Sequence, residues 1–151
     1  MFLMIILIGI FFGIDIISKI IVSNLMNVNE SIMVIKDFFY ITYVRNTGAA
    51  WSMFAGERLG LIVVSLIIIC FIVYYTFKNK PESRLEYIGY GMVLGGSFGN
   101  LFDRIIYGYV IDFLDVYIFG YDYPIFNLAD SFIFVGVILI IISTWRCSDG
   151  N

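Results

Sequence analysis

Leu59 to Phe77 is a run of bilayer length with no charged residue, and it is one of four long apolar segments in a chain of 151 residues. A stretch of about 20 apolar residues is what an α-helix needs to cross the hydrocarbon core. Lipid offers the backbone no hydrogen-bond partner, so a chain of this kind folds as packed helices with its polar segments at their ends. The other segments are about 2–26, interrupted by Asp15, Ser18 and Lys19; about 86–105, glycine-rich, with an uncharged centre Tyr87–Phe102; and 128–145, polar only near its start, at Asp130 and nearby serines. A content of 61% hydrophobic and 14% charged residues departs from a soluble domain, which has roughly 45–50% and 25%. The expected architecture is an integral membrane, mainly α protein. It has four transmembrane helices and forms one domain over 1–151.

Composition also removes function classes. Histidine is absent, so no imidazole base or ligand exists, and a net charge of −3 gives no basic surface for nucleic acid. Cys70 and Cys147 lack metal-ligand spacing and give no support for a disulfide. The first segment lacks a basic leader and a small-residue cleavage site, so it reads as a retained helix rather than a signal peptide.

Lys78, Lys80 and Arg84 crowd the short loop 78–85, whereas no Lys or Arg occurs between Arg104 and Arg146. The positive-inside rule puts loop 78–85 and both termini in the cytoplasm. Loops 27–58 and 106–127 then face outward. Lys36 and Arg45 in the first outer loop weaken the bias without reversing it. Phe38–Val44 is β-branched and aromatic, which favours a strand. A small extracytoplasmic β-sheet is expected, with Tyr109–Phe119 as partner.

The polar residues fall into dense clusters. Asp15 and Lys19, four apart, share a helix face. They suit a structural ion pair or the orientation of a neighbouring group. Asn46-Thr47-Gly48 follows the candidate strand and reads as a turn. Gly91, Gly95 and Gly99 make a smooth stripe for close helix packing. Asn100, Asp103 and Arg104 continue from it as a cluster that can support a site through hydrogen bonds.

Asp112 and Asp130 lie 18 residues apart, in VIDFLD and FNLADS. Asp112 could be a solvated loop acid. Asp130 could be an early-turn aspartate capped by Asn127, favoured by the helix dipole. Ionisable groups near bilayer depth are costly, however, and mark function. Two close carboxylates share a proton. One can then act as base toward water while the other polarises a carbonyl. No G-x-S-x-G elbow exists, and Ser18-Lys19 are neighbours whose side chains diverge by about 100° on a helix. The aspartates match no metal-binding template, so no metal or cofactor is expected.

Taken in order, DIISK (Asp15–Lys19), NTGAAW (Asn46–Trp51), GGSFGNLFDR (Gly95–Arg104), YVIDFLD (Tyr109–Asp115) and FNLAD (Phe126–Asp130) resemble bacterial lipoprotein signal peptidase, signal peptidase II. The resemblance covers nearly the whole chain, and its GN-x-x-DR, V-x-DF-x-D and FN-x-AD elements are the specific ones. It implies a four-helix aspartyl endopeptidase of the bacterial cytoplasmic membrane, with a β-cradle and the site near the outer face. Its substrates would be diacylglyceryl-modified prolipoproteins, cut before the lipidated cysteine. Asp112 and Asp130 match the catalytic pair. Asp15, Lys19, Asn46, Gly48, Asn100, Asp103, Arg104, Asn127 and Ala129 match the surrounding substrate-binding or orienting positions. Ser97 stands where the family often has Ala, a small-for-small change. The partners implied are lipidated substrates and membrane lipids, and the chain is expected to be monomeric. The competing reading is a small proton-coupled transporter with Asp15, Asp112 and Asp130 as a relay, but no internal repeat supports it. Other intramembrane aspartyl proteases carry Gly-x-Gly-Asp, which this chain lacks.

Overall fold

The computed structural model describes residues 2–48 and 56–148, without the side chains of 146–148. Ala49, Ala50 and Trp51 of the NTGAAW motif, and the side chains of Arg146 and Cys147, lie outside the described residues. Among the described residues there are four helices: α1 (Phe2–Leu25), α2 (Arg58–Lys78), α3 (Arg84–Ile106) and α4 (Leu128–Ser148). The strands are β1 (Ser31–Ile35), β2 (Phe39–Asn46), β3 (Val110–Ile118) and β4 (Tyr121–Asp122). They form one antiparallel sheet in the order β1-β2-β3-β4. This is the expected helical membrane fold with a small sheet.

Helices α1, α2 and α4 are each long and apolar enough to cross a membrane. They expose large apolar side chains such as Ile5, Ile67, Phe71 and Phe134, as lipid-facing helices do. Helix α3, the glycine-rich third segment, is the least apolar of the four. It is 23 residues long, yet its glycines, Asn100, Asp103 and charged ends keep it outside that class. The reason is its position. It packs on α1 and α4, with α2 on a third side, so protein and not lipid surrounds most of it.

Glycines make that position sterically open. A Cβ on Gly91 or Gly95 would stand 2.6 Å and 2.8 Å from the Cβ atoms of Leu7 and Phe11 on α1. One on Gly99 would collide with the carboxylate of Asp15. The sequence stripe is thus the α1 contact. A second set, Gly89 and Gly96, meets α4 at the carbonyls of Gly136 and Ala129. At the end beside loop 78–85, Ser83 caps α3 by accepting the Glu86 N–H at 3.1 Å, and its hydroxyl lies 2.5 Å from that of Ser143 on α4.

The sheet sits at the opposite end of the bundle. Strand β2 pairs with β3 from Phe39↔Val116 to Asn46↔Val110. Tyr43, Ile111 and Phe113 form one apolar cluster with Val22 and Met26 at the end of α1. Side chains alternate along a strand. Burying Ile111 and Phe113 against α1 therefore turns Asp112 to the other face.

Candidate active site

Three backbone devices bring the polar motifs together. The Ile111 N–H donates to Asp103 Oδ2 at 3.1 Å, which ties β3 to α3. Phe113 and Leu114 both donate to the Phe126 carbonyl, at 2.9 Å and 2.7 Å, and Phe126 N–H returns a bond to Leu114 O. That clamp carries the next residue, Asn127, to Asp112. Finally, Asn127 caps α4. Its Oδ1 accepts the Asp130 N–H at 3.0 Å, while Asp130 Oδ2 accepts the Asn127 N–H at 3.3 Å. This is the reciprocal capping-box arrangement.

The carboxylates are therefore linked through one residue, Asn127, whose side-chain Nδ2 serves Asp112 and whose backbone N–H serves Asp130. Asn127 Nδ2 donates to Asp112 Oδ1 at 2.7 Å, and Asn46 Nδ2 donates to Asp112 Oδ2 at 2.9 Å. Asn100 Nδ2 donates to Asp130 Oδ1 at 2.7 Å. Asp112 is buried, and Asp130 is half-buried at the edge of the site. Burial first, and then the neighbouring charge of Asp130, push the Asp112 carboxyl up to about 7; the donated N–H bonds of Asn46 and Asn127 oppose the rise. Asp112 thus changes protonation near neutrality, where acid–base work is most effective.

Beneath the pair lies a closed ionic cluster. Lys19 Nζ reaches Asp15 Oδ2 at 2.7 Å, Asp103 Oδ2 at 3.0 Å and Asn100 Oδ1 at 3.0 Å. An ammonium has three donors and no acceptor. Its contact therefore fixes Asn100 with Oδ1 toward Lys19, which leaves Nδ2 for Asp130. Asp15 Oδ1 accepts the Ala129 N–H at 2.9 Å, one of the first-turn amides that a helix leaves unpaired. Lys19 thus pairs with Asp15 and also contacts Asn100, a residue that bonds Asp130. Gly48 closes a turn on Asn46 Oδ1 at 2.9 Å, and its carbonyl accepts from Arg104 at 3.2 Å. The Arg104 guanidinium faces the charges of Asp130, Asp112 and Asp103.

All eleven positions singled out in the sequence thus occupy one hydrogen-bonded network. Asp115 of β3 is also buried, and its Oδ2 accepts the Thr42 hydroxyl at 2.5 Å. Asp122 is exposed. Arg58 carried no signal in the sequence, yet it donates to the Arg104 and Ile105 carbonyls at 2.8 Å and 2.7 Å and so ties α2 to the end of α3. Among the described residues, no three His, Cys, Asp or Glu side chains gather as a metal set.

A bundle of apolar helices that buries a polar, carboxylate-bearing site under a small sheet defines a membrane enzyme. Two solved bacterial membrane enzymes share the fold. One, determined in meso at 2.3 Å resolution, gives a TM-score of 0.89 at 35% identity over 98% of this chain and 90% of that one. The other, at 1.9 Å, gives 0.83 at 37% identity over 93% and 91%. The family description Signal peptidase (SPase) II matches residues 7–146. A lipoprotein signal peptidase of Halothermothrix orenii is 41% identical over 128 residues, 85% of each chain. The chain belongs to the signal peptidase II family and is a membrane protease.

Proposed function

We propose that the chain is an aspartic endopeptidase that removes the signal peptide from diacylglyceryl-modified prolipoproteins, cutting before the lipidated cysteine. The observation that carries this reading is the convergence of Asp112 and Asp130 on Asn127. Its relative from Halothermothrix orenii, a lipoprotein signal peptidase, supports the substrate class.

In the proposed reaction, the carboxylate of Asp130 takes a proton from water as the water oxygen attacks the scissile carbonyl. Protonated Asp112 donates to the oxygen that becomes the oxyanion. On collapse the C–N bond breaks, the leaving nitrogen takes a proton from the pair, and acid and amine products form. Asn46, Asn100 and Asn127 hold the two carboxylates, and Arg104 with Gly48 borders the place where substrate backbone would lie. The site is assembled from the end of α3 and the start of α4, remote from the basic loop 78–85. That separation supports a site at the outer face of the bacterial cytoplasmic membrane, with that loop and the termini inside.

The test is cleavage of a lipidated prolipoprotein in detergent micelles, followed by gel shift. Asp112→Asn and Asp130→Asn should each reduce turnover by at least about a thousandfold while retaining the parent elution profile. Near-parent turnover in either variant would sink the assignment. Equal cleavage of the unlipidated precursor would remove the substrate class while leaving the dyad intact.

A further inference from the structure

On the side of α3 away from the carboxylates, α1 and α3 enclose an open apolar groove of about 340 Å³. Ile8, Gly9 and Phe12 line it from α1, and Leu101, Phe102 and Ile105 from α3. Its volume lies within the roughly 300–1,000 Å³ of small-ligand sites. An aromatic ladder leads from it toward the sheet. Phe12 meets Phe102 with ring centroids 5.9 Å apart, Phe102 meets Tyr107 at 6.4 Å, and Tyr107 stacks on Tyr109 at 5.9 Å. The ladder ends at Arg45, whose guanidinium lies 4.8 Å from the Tyr109 ring centre.

Arg45 is exposed and has no part in the carboxylate network. Its Nε donates to the Tyr43 hydroxyl at 3.2 Å, and among the described residues no carboxylate pairs with it. Stacking on Tyr109 and the bond from Nε hold the plane of the guanidinium. The two terminal nitrogens remain for a ligand. A planar fork fixed in this way suits the oxygens of a phosphate. Arg58, bonded only to carbonyls, flanks the other side of the same turn, with its guanidinium beside Gly108. Two cations with no carboxylate partner among the described residues thus lie toward the sheet from an apolar groove, an arrangement that suits an amphiphile with an anionic head and a hydrocarbon tail.

We propose that this groove holds one acyl chain of an anionic phospholipid, with the headgroup phosphate on Arg45. The groove lies apart from the carboxylate pair, and the inference does not depend on the cleavage reaction. Bound there, the lipid would fill the space between α1 and the α3–β3 turn and brace both.

The test is native mass spectrometry of the delipidated full-length protein. It is titrated in detergent with phosphatidylglycerol or with phosphatidylcholine of the same acyl chains. The parent should bind phosphatidylglycerol more tightly, by roughly fivefold for one interfacial arginine. Arg45→Gln should bring phosphatidylglycerol down to the phosphatidylcholine level. Gly9→Phe should weaken both lipids, because a Cβ on Gly9 meets nothing within 4 Å and the ring would extend into open groove. Monodisperse elution and an unchanged helical spectrum check that both variants are folded. Equal affinity for the two lipids in the parent would overturn the proposal. So would an unchanged headgroup preference in Arg45→Gln or unchanged binding in Gly9→Phe.

Discussion

Replacing Lys19 with Met removes the cation that contacts both Asp15 and Asp103. Lys19, Asp15 and Asp103 are all buried, at 1%, 0% and 1% exposure. At about 3 Å and an effective dielectric near 20, each ion contact contributes roughly 5 kcal/mol of attraction. Most of that is offset by the several kcal/mol needed to desolvate each ion. Met keeps the apolar stem but leaves two carboxylates facing each other without a cation. The expected loss is that of a broken buried pair, about 3–5 kcal/mol. Unfolding in mixed SDS micelles, followed by far-ultraviolet circular dichroism, measures it. The triple variant Lys19→Met, Asp15→Asn, Asp103→Asn has no buried charge here and should recover more than half of the loss. A single variant within about 1 kcal/mol of the parent would refute the reasoning, because the cluster would then be solvated and not closed. The same holds if the triple variant were less stable than the single one.

Further expectations concern pH, packing and capping. The Asp112 carboxyl, raised to about 7 in the folded protein from 3.8, favours folding most below pH 3.8, and that contribution is lost as pH rises through 7. Turnover that needs its proton should likewise fall about tenfold per unit above pH 7, as a pH–rate profile would record. Gly96→Ala would drive a methyl into the Ala129 carbonyl and should cost about 1–3 kcal/mol in the same unfolding assay. Gly13→Ala meets nothing within 4 Å and should instead stabilise by roughly 0.5–1 kcal/mol. Ser83→Ala removes a helix cap and strands the Ser143 hydroxyl, with an expected loss of about 1–2 kcal/mol.

Much of this was legible because lipid makes polar residues conspicuous. Asp15, Asn100, Asp103 and Asp130 stand out in segments that otherwise carry apolar side chains. Phe38–Val44 declared itself as a strand by its β-branched and aromatic content, and β2 runs over Phe39–Asn46. What stayed hidden depends on the backbone. The meeting of Asp112 with Asn127 rests on the paired amides and carbonyls of Phe126 and Leu114, which any residue can supply. The burial of Asp115 beneath Thr42, across the sheet, and the exposure of Asp122 depend on strand placement, not on residue type. The glycine stripe at 91, 95 and 99 followed a visible four-residue repeat. The α4 contact uses Gly89 and Gly96, seven apart, and needs Gly136 from a distant segment to make sense.

The double use of Asn127 ties two properties that most enzymes keep apart. Helix ends fray first, because their opening exposes little apolar surface. Here the first turn of α4 cannot unwind without releasing the side chain that joins the two aspartates. On the proposed mechanism an end-frayed molecule would therefore be a silent one, even with the rest of the bundle intact. Turnover becomes a local gauge of winding at a single helix terminus, sensitive to openings too small for a global unfolding measurement to register.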